Sequence, residues 1–222
     1  MSDQEPLNTI CFYCDPISPY AWLASTRLEE IETNTHANII VKPILFAGLL
    51  KAHGNIGPAE ITAKRVYTFR DVMRRANALG LPMESVPNHP FNPLLALRIC
   101  TAIEDDKERR KVAVALFDAA WSKGRDITVE SDVREIVAGC GLDADWAIAA
   151  ANDPVVKQAL IDNTNAAIEL GIFGVPTFRF DDQIFWGEDR IGELLSYING
   201  QRIDEDKLQQ ILAREAAVHR KR

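Results

Sequence analysis

What this chain of 222 residues lacks narrows it quickly. No apolar run approaches the about 18 residues that mark a membrane helix, so no span is expected. The opening residues, MSDQEPLNTICFYC, carry no basic stretch ahead of an apolar one. They do not read as a secretory signal, and the expected address is the cytoplasm. Positive charge is scarce: the net charge is −7, and the one cationic cluster, Arg214 to Arg222, is too short for a binding face. Nucleic acid is not an expected partner. The four histidines are scattered without ligand spacing, so no metal site is expected. The four cysteines, Cys11, Cys14, Cys100 and Cys140, are expected to be reduced thiols in a chain without a leader.

What is present falls into three regions. Thr9 to Cys14 (TICFYC) is short, apolar and aromatic, the pattern of a buried strand, and ends at the breaker Asp15-Pro16. From Ser18 to about Glu32, Ala21, Trp22, Ala24, Leu28 and Ile31 recur at helical spacing, with Ser18 as N-cap and Pro19 at the first helical position. Asn38 to Phe46 reads as a second strand. The middle, about Ala47 to Leu170, offers no convincing strand. It offers a helical face from Ile61 to Leu79 closed by Gly80, then helices near 94–103, 108–121, 132–138, 145–151 and 154–171. Strands return at Thr177–Phe180 and Ile184–Trp186 around an Asp181-Asp182-Gln183 hairpin, followed by a closing helix, Arg190 to Tyr197. A short βαβ, a long helical insertion and a ββα predict an α/β thioredoxin-like fold carrying a large all-helical insertion. Residues 1–46 and 171–222 would form the thioredoxin-like part and 47–170 the insertion.

Cys11-Phe12-Tyr13-Cys14 matches a C-x-x-C redox motif, and strand geometry argues against that use. Residues i and i+3 of a strand point to opposite faces with Cα atoms about 10 Å apart. A disulfide needs them within about 7 Å. The sulfur of a thioredoxin-like redox site belongs at the start of the first helix, where thiol pKa is lowered. Here that slot reads Ser18-Pro19-Tyr20-Ala21. With both sulfurs missing from that slot, the obvious replacement is a thiol brought by a small molecule.

DPISPYAWLA (Asp15 to Ala24) resembles the opening of the kappa-class glutathione transferases and the 2-hydroxychromene-2-carboxylate isomerases. FGVPTFRF (Phe173 to Phe180) with FWGEDR (Phe185 to Arg190) resembles their second signature. KAHGNIGP (Lys51 to Pro58), with Lys64 nine residues after Asn55, resembles the start of their helical region. The likeness covers about residues 8 to 200, and bacterial isomerases match best. It implies a DsbA-like fold, glutathione as cofactor, a small aromatic substrate and a homodimer.

The resemblance also assigns roles. Ser18 looks like the catalytic serine, donating a hydrogen bond to the glutathione sulfur; its alternative is a plain helix cap. Val175-Pro176 looks like the cis-proline turn, leaving the Val175 backbone N–H and C=O to pair with the cysteinyl part; the alternative is an ordinary trans proline. Trp186, Gly187, Glu188 and Asp189 would line the γ-glutamyl end, with Asp189 accepting the ammonium or merely capping a helix. Lys64 would hold a glutathione carboxylate, and Lys51, Asn55 and Asn92 the second substrate. Solvated lysines and a capping Asn92 are the alternatives, and which lysine does which job stays open. His53 and His89 are given no catalytic part.

The isomerases open 2-hydroxychromene-2-carboxylate to trans-o-hydroxybenzylidenepyruvate in aromatic degradation, with reversible thiolate addition freeing a double bond to rotate. Two other readings remain: a kappa-like transferase, which conjugates glutathione to an electrophile, and a catalytically silent thioredoxin-like binding module.

Overall fold

A computed structural model of the chain describes residues 8–84 and 86–214. The leading seven residues and nearly all of the basic tail lie outside the described residues. Thr9–Cys14 forms β1, buried along its whole length, as a run of apolar and β-favouring residues in the middle of a sheet should be. It is followed by α1 (Pro19–Ser25), α2 (Leu28–Thr35) and β2 (Asn38–Pro43). α1 and α2 supply the crossover that the parallel β1–β2 pair requires. The helices α3 (Phe46–Ala52), α4 (Thr62–Ala78), α5 (Leu94–Ala102), α6 (Asp106–Trp121), α7 (Glu130–Gly139), α8 (Ala144–Asn152) and α9 (Pro154–Glu169) come next. The hairpin β3 (Thr177–Phe180) and β4 (Gln183–Trp186) precedes a 3₁₀ turn (Glu188–Arg190), α10 (Ile191–Ile198) and α11 (Glu205–Leu212). The sheet order is β2-β1-β3-β4, with β3 antiparallel to both neighbours. This is the expected DsbA-like thioredoxin fold.

The two faces of β1 build two cores. Ile10, Phe12 and Cys14 join α1, α2, α10 and much of the helical middle in one continuous apolar cluster, and Phe12 stacks on Phe178 at 4.9 Å. Cys11 and Tyr13 face the other way, onto Ile44, Leu49 of α3, Ala167 of α9, Ile172 and Val175. The alternation of strand side chains thus sets the two cysteines on opposite sides, as their spacing predicts.

Several elements differ from the sequence reading. The helix expected from Ser18 to Glu32 is two helices, because Ser25 and Thr26 turn their hydroxyls onto the carbonyls of Trp22 (2.7 Å) and Leu23 (2.8 Å) at the end of α1. The strand expected to reach Phe46 stops at Pro43. Beyond it the Leu45 N–H donates to Thr164 Oγ1 (3.0 Å) and the Phe46 N–H to Asp15 Oδ2 (2.9 Å), so the chain leaves the ladder and starts α3. α3 and α11 are additions to the expected helices, and the residues of α11 are largely exposed.

Candidate active site

The turn between β1 and α1 is fixed from several sides. Asp15, fully buried, accepts from the Ile17 N–H at 3.0 Å with one oxygen and from the Phe46 N–H with the other. Burial pushes its carboxyl up to about 7, against the lowering effect of those two N–H donors. The helical middle holds the same turn by its carbonyls. Trp121 Nε1 donates to Pro16 O (2.9 Å), and His89 Nε2 lies 3.0 Å from Ile17 O. Because the partner is a carbonyl, Nε2 carries the proton; burial lowers the ring's pKa and keeps it neutral. Phe69, Phe91 and Trp121 enclose the ring, and its Nδ1 is buried without a partner.

Ser18 sits at the end of this turn. It is the N-cap of α1, its Oγ accepting from the Ala21 N–H at 3.2 Å, with Pro19 next in line. The same hydroxyl donates to Val175 O at 3.4 Å. The peptide Val175-Pro176 is cis, as expected. Val175 O is therefore not vacant, contrary to the sequence expectation: it carries the Ser18 hydroxyl, in a bond long enough to be weak. Ser18 is 8% exposed. Cys11 and Cys14 remain buried thiols, and burial raises Cys14 well above the usual thiol range. Burial thus disfavours a thiolate at Cys14.

Beyond the cis proline lies a cleft of about 310 Å³, lined by Tyr20, Asp71, Arg75, Val175, Pro176 and the stretch Trp186 to Arg190. Two glycines shape it. A Cβ on Gly174 would overlap the Trp186 indole. Gly187 adopts φ +115° and leaves no room for a Cβ beside Asp189. Its N–H donates to Pro176 O at 2.9 Å. Trp186, half exposed, meets Phe173 edge-on at 4.8 Å.

Charge in the cleft is organised around Arg75. Glu188 is buried and its carboxylate points inward, accepting from Arg27 Nη1 at 3.0 Å and Arg75 Nη1 at 2.8 Å. Glu188 thus belongs to the lining, but its side chain is already engaged. Arg75 Nε donates to Asp71 Oδ2 (3.0 Å), which also accepts from the Tyr20 hydroxyl (2.9 Å). Burial and then Asp71 push that phenol up, so it stays protonated. Asp189 is exposed, paired with Arg190 Nη2 at 2.7 Å and lying 3.8 Å from Arg75 Nη2.

The remaining sequence candidates lie outside this lining. Lys51, Asn55 and Lys64 are exposed at the end of α3, in the following loop and in the first turn of α4. His53 Nε2, 3.2 Å from Ile172 O, ties that loop to the segment leading into Val175. Asn92 is exposed and its Oδ1 accepts from the Leu94 N–H at 3.1 Å, an Asx-type turn leading into α5, whose N-cap position is Pro93. Arg27, Asp71 and Arg75 escaped the sequence reading. The (i, i+4) spacing of Asp71 and Arg75 marks an ion pair on a helix surface, with nothing to say that it meets Glu188.

A four-stranded mixed sheet and a cis proline facing the start of the first helix, where Ser18 stands in place of sulfur, define a thioredoxin-like protein. The chain belongs to the DSBA-like thioredoxin domain family, whose model matches residues 9–199. Among curated proteins it is 29% identical over 193 residues to a 2-hydroxychromene-2-carboxylate isomerase of Sphingobium xenophagum, covering 86% of this chain and 98% of that one. It is 30% identical over 206 residues to glutathione S-transferase kappa 1 of Rattus norvegicus, covering 86% and 90%. A solved 2-hydroxychromene-2-carboxylate isomerase superposes with a TM-score of 0.79 at 26% identity, over 93% of this chain and all of that one. Among the described residues, no helix is long and apolar enough to cross a membrane, and no group of three or more potential ligands could hold a metal ion.

Proposed function

We propose that this protein is a glutathione-dependent isomerase interconverting 2-hydroxychromene-2-carboxylate and trans-o-hydroxybenzylidenepyruvate in aromatic-hydrocarbon breakdown. The observation that carries the reading is the Ser18 hydroxyl, held between the first turn of α1 and the cis Val175-Pro176 turn, whose two residues line an acid-rimmed cleft. The cleft's about 310 Å³ falls within the range of small-molecule sites, about 300–1,000 Å³. It offers a carboxylate, guanidinium groups and backbone amides to a zwitterionic peptide.

Bound glutathione supplies a sulfur nucleophile that is returned at the end of turnover. Ser18 turns its proton from Val175 O toward that sulfur. A hydrogen bond to a charged group contributes about 1.5–3 kcal/mol. That brings a thiol of ordinary pKa, about 8.5, down by roughly one to two units at 1.36 kcal/mol each. The Val175 backbone aligns the cysteinyl part. Asp189 accepts the α-ammonium, and Trp186, Gly187 and Glu188 wall that end. Lys64 neutralises a glutathione carboxylate, while Lys51, Asn55 and Asn92 receive the carboxylate and carbonyl of the second substrate. In this reading residues 1–46 with 171–222 form the thioredoxin-like glutathione-binding part, the helical insertion 47–170 adds Lys64 to it and holds the aromatic substrate, and the enzyme works as a cytoplasmic homodimer.

The near-equal likeness to a kappa-class transferase favours one second reading, conjugation of glutathione to an electrophile. Ultraviolet absorbance of chromene carboxylate, followed with and without glutathione, separates the two. The isomerase accelerates ring opening only when glutathione is present and leaves the thiol titre unchanged. Loss of thiol in step with product means transfer, and no glutathione-dependent change means neither.

A further inference from the structure

Glu188 is an unusual neighbour for a ligand site. A carboxylate withdrawn from water costs several kcal/mol, recovered only with good partners. Here both oxygens have them: Arg27, which precedes α2, and Arg75, from the last turn of α4. The turn that carries Glu188 is pinned on its other side by the Gly187 N–H to Pro176 O. The next residue is Asp189. Arg75 reaches further, since its Nε holds Asp71 and Asp71 holds Tyr20, two residues after Ser18 in the first turn of α1. One guanidinium therefore ties together the helix that presents Ser18 and the turn that presents Asp189.

We propose that Glu188, clamped by Arg27 and Arg75, is a positioning residue that fixes the span between Ser18 and Asp189, and so selects thiols carrying a γ-glutamyl arm over shorter ones. The proposal rests on the glutathione reading above. Glu188 itself touches no ligand through its carboxylate. It holds the 3₁₀ turn in one orientation, so that Asp189 meets an ammonium at a set distance from the sulfur. A Gln at this position can accept from only one arginine and sets an NH₂ against the other, which frees the turn. Preorganisation lost in this way is read as affinity for the arm that spans the site, not for the part that sits at Ser18.

Calorimetric titration of the whole protein with glutathione and, separately, with cysteinylglycine, which lacks the γ-glutamyl arm, tests this. The wild type should prefer glutathione. Glu188→Gln should weaken glutathione by about tenfold, equivalent to 1.4 kcal/mol, and leave cysteinylglycine within about twofold. In turnover, KM for glutathione should rise while kcat at saturating glutathione holds. Arg27→Gln, outside the cleft lining, should shift the preference in the same direction and decides the matter if Glu188→Gln does not fold. Equal losses for both thiols would mean a general structural role and overturn the proposal, as would unchanged selectivity. A wild type that binds neither thiol sinks the glutathione reading itself, and the wild-type arm alone reveals that.

Discussion

The Ser18 hydroxyl has two partners at once, giving its proton to Val175 O and its lone pair to the Ala21 N–H. Only the second bond is what a helix cap needs; the first, at 3.4 Å, is weak and can be exchanged for a better acceptor. Ser18→Ala removes both and should cost about 1 kcal/mol of stability as a lost cap. If the hydroxyl steadies a bound thiolate, the thiol's pKa should rise by about one to two units. Ultraviolet thiolate absorbance of bound glutathione at neutral pH should then fall, and turnover should drop about tenfold or more. A variant that titrates and turns over like wild type would leave Ser18 a cap only. The roles proposed for Ser18 and Val175 rest on the resemblance of the short motifs around them to a known family, while the cap at Ser18 could be read from a local pattern, a serine-proline start after a strand. Arg75, Trp121 and His89 could not. Their contacts span 113, 105 and 72 positions, and nothing in the residues around them records the partner.

At the scale of elements, β1 shows how far a periodicity argument reaches. Alternation predicts that Cys11 and Cys14 face apart, and they lie in different apolar clusters. The strand's far end was legible too, because Asp15-Pro16 interrupts the pattern. The end of β2 was not, since Ile44, Leu45 and Phe46 remain apolar after leaving the ladder, and what turns them is Thr164 and Asp15. Replacing Cys11 and Cys14 together by Ala should leave glutathione-dependent turnover within about twofold. It should lower the urea midpoint, because two packed thiols leave cavities. The Cys14 change should open space on the side shared with α5 and α6, where Cys14 already lines a small void with Cys100, Leu116 and Phe117. A folded double variant with selectively lost turnover would mean that one of these sulfurs reaches the chemistry and that Ser18 does not hold the site's centre.

Asp15 connects the whole molecule, since its two oxygens join the turn before α1 to the start of α3 from inside the protein. Its pH dependence follows from burial. The folded carboxyl titrates at about 7, raised from the ordinary value, so the native state binds this proton more tightly than the unfolded chain. Its contribution to stability is therefore complete below about pH 4 and declines as pH rises to about 7, after which it is flat. His89 acts in the opposite sense. Its folded pKa is lowered, so its contribution is present above the usual imidazole value and is lost as pH falls through the folded one. A single wild-type curve mixes the two; comparison with Asp15→Asn separates them. Asn accepts only one of the two N–H bonds, a loss that does not vary with pH. Between pH 5 and pH 8 the wild type should lose roughly 2–3 kcal/mol relative to the variant, about two units at 1.36 kcal/mol each. Urea midpoints of both proteins at the two pH values measure this difference, and His89 cancels from it. If the gap between the two proteins is the same at pH 5 and pH 8, Asp15 ionises as an ordinary carboxylate. The turn beneath Ser18 would then be held by a charged acid at both pH values.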